Sequence, residues 1–124
     1  MIDLGEMLIW QWLYKFGIIW DLWAGKTHFT KGVAKGIGLD DNQVHSPTYV
    51  YFHEYDVSLP TAWWNSQKLL HVDMYRMHDF FLIIRSGLQE KLEEYHYQCI
   101  EWPKEDWIDT TNMSMVHIKI IDET

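Results

Sequence analysis

The sequence predicts an α/β fold: one small mixed central sheet flanked by helices, in a single domain spanning residues 1–124. Three observations predict it. Short apolar runs that favour β structure recur at Phe16-Gly17-Ile18-Ile19, Lys68 to Asp73 and Tyr97 to Trp102. Segments with helical spacing stand between them, so strands and helices interleave. At 124 residues, with 48% hydrophobic and 23% charged side chains, the chain has the composition of one folded globule able to bury a core.

The first helix is predicted from Asp3-Leu4-Gly5-Glu6, which has the D-x-x-E form of a capping box. Leu4, Met7, Leu8 and Trp12 continue it at helical spacing to about Tyr14, and Ile9, Trp10 and Leu13 widen its apolar face. Phe16 to Ile19 reads as a buried strand that runs straight into the segment beginning at Trp20. After Thr27 the pattern turns helical: Phe29, Val33 and Ala34 share a face while Lys31 and Lys35 point away, and Gly36 and Gly38 stop it. Asp40-Asp41-Asn42 reads as a turn and Ser46-Pro47-Thr48 as a loop entering a strand from Tyr49 to Tyr55. Pro60 to Ser66 is a connection. Phe80 to Tyr95 is helical with a break at Ser86-Gly87, and Pro103 ends the strand from Tyr97. Met113 to Ile121 alternates, Met115, His117 and Lys119 against Val116, Ile118 and Ile120, as a terminal strand does.

Composition narrows the functional classes. A formal charge of −8 argues against a general nucleic-acid coat, which needs a basic face to displace counterions; it leaves open binding to a protein that itself holds RNA. Cys99 is the one cysteine, so no internal disulfide forms and a reducing compartment is expected. Apolar runs such as Phe80 to Ile84 are far too short to span a bilayer, and no Arg- or Lys-led signal segment opens the chain. A cytoplasmic location without membrane attachment is expected. Eight tryptophans predict bulky aromatics at a surface or pocket.

The chemistry-bearing stretch is Trp20-Asp21-Leu22-Trp23-Ala24-Gly25-Lys26-Thr27, set between a predicted strand and a predicted helix. A phosphate-binding loop reads G-x-x-x-x-G-K-[ST]: backbone N–H groups wrap the phosphates, the lysine reaches the outer ones, and the hydroxyl holds Mg²⁺. Its second half is intact, while Trp20 stands at the first glycine position. Other residues have two readings when taken alone. Asp73 with Arg76 fits a surface ion pair, and Glu101 fits a solvated strand-end charge. Both also fall at predicted strand ends, where ligands bind in open α/β sheets. His71 shares a strand face with Asp73 and could join it on a transition metal, but no third ligand stands at a useful spacing. Cys99 reads as packed, and Glu90-Lys91-Leu92-Glu93-Glu94 as a solvated helix face.

Four segments together resemble the TsaE family: Asp21 to Thr27, Ser46-Pro47-Thr48-Tyr49, His71-Val72-Asp73-Met74-Tyr75-Arg76 and Ile100-Glu101-Trp102-Pro103, supported by Thr30-Lys31-Gly32 and Gly36-Ile37-Gly38. The resemblance runs from about Leu4 to about Trp107. It implies a P-loop NTPase-like domain that binds and hydrolyses ATP with Mg²⁺. The family acts with TsaB and TsaD in forming threonylcarbamoyladenosine in tRNA, and resets that pair between turnovers; tRNA would be met indirectly. Carried over by position, Asp21, Leu22, Trp23, Ala24, Gly25, Lys26, Thr27 and His28 would bind nucleotide, with Lys26 on the β/γ-phosphates. Thr27, Asp73 and Glu101 would surround the metal. Thr48 would sit at a switch-like position near the γ-phosphate, Asp73 and Glu101 would act on the attacking water, and Trp102 would line the site.

The chain departs from that family at positions 20 and 23, normally glycine and here tryptophan, and at His28, normally threonine. Phe80 and Phe81 replace a common Pro-Glu pair, and the segment before the first strand is shorter, so the family's first strand is expected to be absent. Glycine at 20 and 23 would let the backbone approach phosphate closely. An indole there either fills the phosphate space or swings aside. Two functions follow: a working ATPase, or a fold-retaining partner-binding protein whose phosphate loop is blocked by Trp20 and Trp23. A small-molecule kinase is a weaker third, because no arginine-rich lid is recognisable.

Overall fold

The computed structural model of the chain describes residues 4–11, 13–21, 26–39, 41–45, 51–56 and 68–119. The elements are α1 (Leu4–Trp10), β1 (Lys15–Trp20), α2 (Lys26–Gly36), a 3-10 turn (Asp41–Gln43), β2 (Phe52–Asp56), β3 (Lys68–Asp73), α3 (Phe81–Arg85), α4 (Leu88–Glu94), β4 (Tyr97–Glu101) and β5 (Ser114–Ile118). The strands form a five-stranded sheet in the order β2-β3-β4-β1-β5. β3, β4, β1 and β5 are parallel, and β2 pairs antiparallel with β3 at one edge. The sheet is therefore mixed and flanked by helices, as the interleaved pattern predicts.

Alternation along the strands divides the core into two layers. Phe16, Ile18, Leu69 and Cys99 face Phe29, Val33 and Ala34 of α2. Leu70, Val72 and Ile100 face the other way, against Ile83 and Leu88 from α3 and α4. Because β1, β3 and β4 run parallel, their C-terminal ends gather on one rim, and the chain leaving β1 there starts α2 at Lys26.

Two glycine positions show how local chemistry sets this layer. At the end of α2, the Leu39 N–H donates to the Ala34 carbonyl at 2.8 Å and the Gly38 N–H to the Lys35 carbonyl at 3.1 Å. That is a Schellman cap, and Gly38 carries its left-handed residue at φ +90°. Leu39 then returns to the core beside Val33 and Ala34. At Gly5, a Cβ atom would stand 2.5 Å from the Phe29 carbonyl oxygen and 2.6 Å from the Val33 nitrogen. α1 crosses α2 at a distance that only glycine allows.

Several boundaries differ from the sequence expectation. α1 ends at Trp10, not near Tyr14, because the Gln11 N–H (3.1 Å) and the Leu13 N–H (3.2 Å) both turn back to the Leu8 carbonyl before β1 begins. β1 extends to Trp20, which pairs with Ile118 and so belongs to the strand, not to a loop. β2 starts at Phe52, after Tyr51 bends at φ 70°, and β4 stops at Glu101 because Trp102 adopts φ 52°. β5 covers Ser114–Ile118 of the longer alternating run. The helix predicted from Phe80 to Tyr95 is split at Ser86-Gly87 as expected. Asp3, Asp40, Pro60 to Ser66 and Ile120-Ile121 lie outside the described residues.

Candidate functional site

Asp73 and Glu101 end adjacent parallel strands and are register partners, while Glu101 is also the partner of Ile18 in β1. By strand parity, His71 and Asp73 lie on the same face as Cys99 and Glu101, the face that α2 covers. Thr30, His71, Asp73 and Glu101 are all buried there, with Glu101 and His71 at 0% exposure. The solvated strand-end reading of Glu101 is thus corrected: pairing between β3 and β1 on either side, with α2 above, removes it from water. Asp73 likewise is not a surface ion-pair member; it is 2% exposed, and its Oδ1 accepts the Tyr75 N–H at 2.9 Å.

The backbone around these carboxyls is pinned. The Met74 N–H donates to the Glu101 carbonyl at 3.0 Å, the Trp102 N–H to the Ile18 carbonyl at 2.8 Å, and the Asp73 N–H to the Tyr51 carbonyl at 2.8 Å. Trp102 and Tyr51, the residues of these bonds beside Glu101 and opposite Asp73, are the non-glycine positive-φ residues of the described chain. A left-handed non-glycine residue costs on the order of 1–2 kcal/mol, and such outliers concentrate at functional sites. The turn at Trp102 aims its ring across the rim, 5.4 Å from Trp20 and 5.7 Å from Tyr75 between centroids.

Side-chain polarity within the site is unbalanced. Both Glu101 carboxyl oxygens, both His71 ring nitrogens, Thr30 Oγ1 and Trp102 Nε1 are buried without a hydrogen-bond partner among the described residues. His71 Nε2 approaches Glu101 Oε1 at 3.6 Å, longer than a hydrogen bond. Cys99, on the same face, is fully buried as expected. Burial pushes its thiol well above the ordinary range.

The other expected site residues fall as follows. Asp21 follows β1 on the same rim, exposed, with Oδ1 3.3 Å from His117 Nε2. Lys26 and Thr27 open the first turn of α2, and His28 follows, exposed. The backbone N–H groups of such a first turn, with the helix dipole, favour an anion. Leu22, Trp23, Ala24, Gly25 and Thr48 lie outside the described residues. Thr30 and Tyr75 carry no role in the sequence reading, and His71 is weighed there only as a metal ligand; all three lie beside the two carboxyls. The His71/Asp73 parity was legible; the register that sets Glu101 beside them was not. Among the described residues, no cluster of three or more His, Cys, Asp or Glu is arranged to hold a metal. A separate cavity of about 280 Å³ lies on the opposite face, lined by Lys15, Ile83, Gln98, Trp107 and Asp109 among others, and includes none of these site residues.

Comparison with known proteins identifies the family and a similar fold. The family model described as "Threonylcarbamoyl adenosine biosynthesis protein TsaE" matches residues 14–124. The tRNA threonylcarbamoyladenosine biosynthesis protein TsaE from Bacillus subtilis (strain 168) is 48% identical over 83 residues, covering 66% of this chain and 46% of the relative. The one from Haemophilus influenzae is 34% identical over 82 residues, covering 66% and 47%. The chain spans about half the length of these curated relatives. Among solved structures, that of Bacillus subtilis YdiB superposes with a TM-score of 0.55 at 25% identity, covering 89% of this chain and 62% of that one. No helix among the described residues is long and apolar enough to cross a membrane.

Proposed function

This chain belongs to the TsaE family, and from that premise we propose that it binds and hydrolyses ATP in the formation of threonylcarbamoyladenosine in tRNA, resetting a TsaB–TsaD pair after each round. One observation carries the reading: Asp73 and Glu101, in register and buried, end parallel strands on the rim where α2 begins with Lys26 and Thr27. Phosphoryl transfer needs positioned charge and an oriented nucleophile more than covalent help. Lys26 neutralises the outer phosphates, and the α2 backbone receives them. Glu101 orients the attacking water and accepts its proton as the γ-phosphoryl leaves ADP. Trp102 and Tyr75 give the nucleotide an aromatic wall.

The residues present fit Mg²⁺. Glu101 offers two buried oxygens that no described donor satisfies, and carboxylates with the Thr27 hydroxyl are the hard donors this ion prefers. When bound, the ion screens charge on the phosphates. Asp73 is steadied for its share of that task by the Tyr75 N–H. With a charge of −8 the chain meets tRNA through its partners and not by a basic face of its own.

Titration calorimetry with ADP and ATP, with and without Mg²⁺, tests the proposal. Micromolar, Mg²⁺-dependent binding that Lys26→Ala abolishes is expected; binding indifferent to Lys26→Ala would refute it. A second reading is favoured by Trp20, whose indole packs edge-on against Trp102 on the site rim. In that reading the chain docks on its partners with the phosphate loop blocked. It predicts no nucleotide binding until Trp20 and Trp23 are changed to glycine.

A further inference from the structure

We infer that His71 is a positioning residue that holds the Glu101 side chain in its working direction; the inference builds on the ATPase reading above. In the β3–β4 ladder, His71 stands opposite Cys99 and diagonal to Glu101 on the face covered by α2. Diagonal neighbours in a sheet are within reach of long side chains. Glu101 uses that reach: its carboxyl leans back along the sheet until Oε1 is 3.6 Å from His71 Nε2, with both side chains at 0% exposure.

Among the described residues, no other side chain gives Glu101 a hydrogen bond or an ion pair. Among the described residues, His71 is thus the polar group that gives this flexible three-bond side chain a direction. The His71 backbone is fixed between β2 and β4, paired with His53 on one side and Cys99 on the other, and its short, stiff ring is fully buried. The 3.6 Å approach suits a resting state, since catalytic hydrogen bonds are often long before ligand binds and tighten in the complex. A shift of less than an ångström turns the contact into a hydrogen bond from Nε2–H to Oε1. His71 then does for Glu101 what the third member of a catalytic set does for its base: it fixes direction without touching substrate. Removing such an outer-shell group costs on the order of 10–100-fold.

The test uses His71→Leu, which keeps bulk but loses the donor, and His71→Gln, which keeps an N–H donor. In Mg²⁺-dependent ATP turnover, His71→Leu should lower kcat by about 10–100-fold with the nucleotide KM changed by about twofold or less. His71→Gln should recover most of the loss. Equal impairment of both variants, or full activity of a folded His71→Leu, would overturn the inference. A second readout needs no nucleotide. In imidazole ¹⁵N–¹H spectra of the full chain, with the His71 signal assigned by its loss in His71→Gln, Nε2 should carry the proton, and Glu101→Gln should shift that signal. A His71 signal unmoved by Glu101→Gln would overturn the inference. A coupled signal in a chain that binds no ATP would uphold the positioning while refuting the ATPase reading.

Discussion

Glu101 brings two carboxyl oxygens into the core without a hydrogen-bond donor among the described residues, and Glu101→Met measures what that costs. Methionine keeps the unbranched length and replaces both oxygens with a thioether at home in apolar packing. Each unsatisfied buried polar group costs about 1–3 kcal/mol. Against this stands the loss of the 3.6 Å approach to His71, worth about 1 kcal/mol or less at that length. Over the two oxygens the net expectation is a gain of about 1–6 kcal/mol. For a chain of this size that is roughly 3–6 °C in Tm per kcal/mol. Thermal and urea unfolding followed by far-UV circular dichroism would report it, with coincident transitions confirming two-state behaviour. The variant should also lose turnover, and with it the stabilisation by Mg²⁺ and ADP, which in the parent reaches about 2.7 kcal/mol at ligand a hundredfold above Kd. Stability held below its optimum by a functional group is the usual trade-off at an active site. A Glu101→Met chain less stable than its parent would refute the reasoning, because it would mean the carboxyl oxygens are well satisfied in the native fold.

Gly5→Ala should destabilise by about 2 kcal/mol: a clash with backbone puts overpacking at the upper end, about 3 kcal/mol, and the better helix propensity of alanine returns about 1 kcal/mol. The new Cβ meets α2 backbone at 2.5 and 2.6 Å, so an unchanged urea midpoint would contradict the close crossing. Glu54 is held below the ordinary carboxylate range, first by a hydrogen bond from Lys91 and then by one from the Tyr95 hydroxyl. Its contribution is present above the unfolded-state value and is lost as pH falls through the lower folded value. Glu54→Gln should therefore flatten the acid limb of stability against pH, and an acid limb identical to the parent's would rule this out. The buried, raised Cys99 thiol should react with a thiol reagent at neutral pH only as fast as the core opens; rapid labelling of the folded chain would show the β4 layer to be accessible.

How much of this was legible before the fold depends on the range of the physics. The alternation of β5, the cap at Gly36 to Gly38, the break at Ser86-Gly87 and the β3 span from Lys68 to Asp73 all follow from neighbours a few residues apart. Periodicity and φ preference act at that range. The helical pattern after the strand, which α2 bears out from Lys26 to Gly36, is of the same local kind. Burial and register act between distant segments, and there only the tertiary structure decided. Glu101 looks like a solvated charge until β3 and β1 close on both sides of it. Lys91 looks like part of a solvated helix face until it reaches Glu54, 37 residues away, at 2.8 Å. Trp20 looks like a loop residue until β5 extends β1 through its pairing with Ile118. The sequence by itself determined the order of strands and helices and put Asp73 and Glu101 at predicted strand ends. Only the sheet, by bringing strands from distant parts of the chain into register, decided that His71 backs Glu101 and that neither touches water.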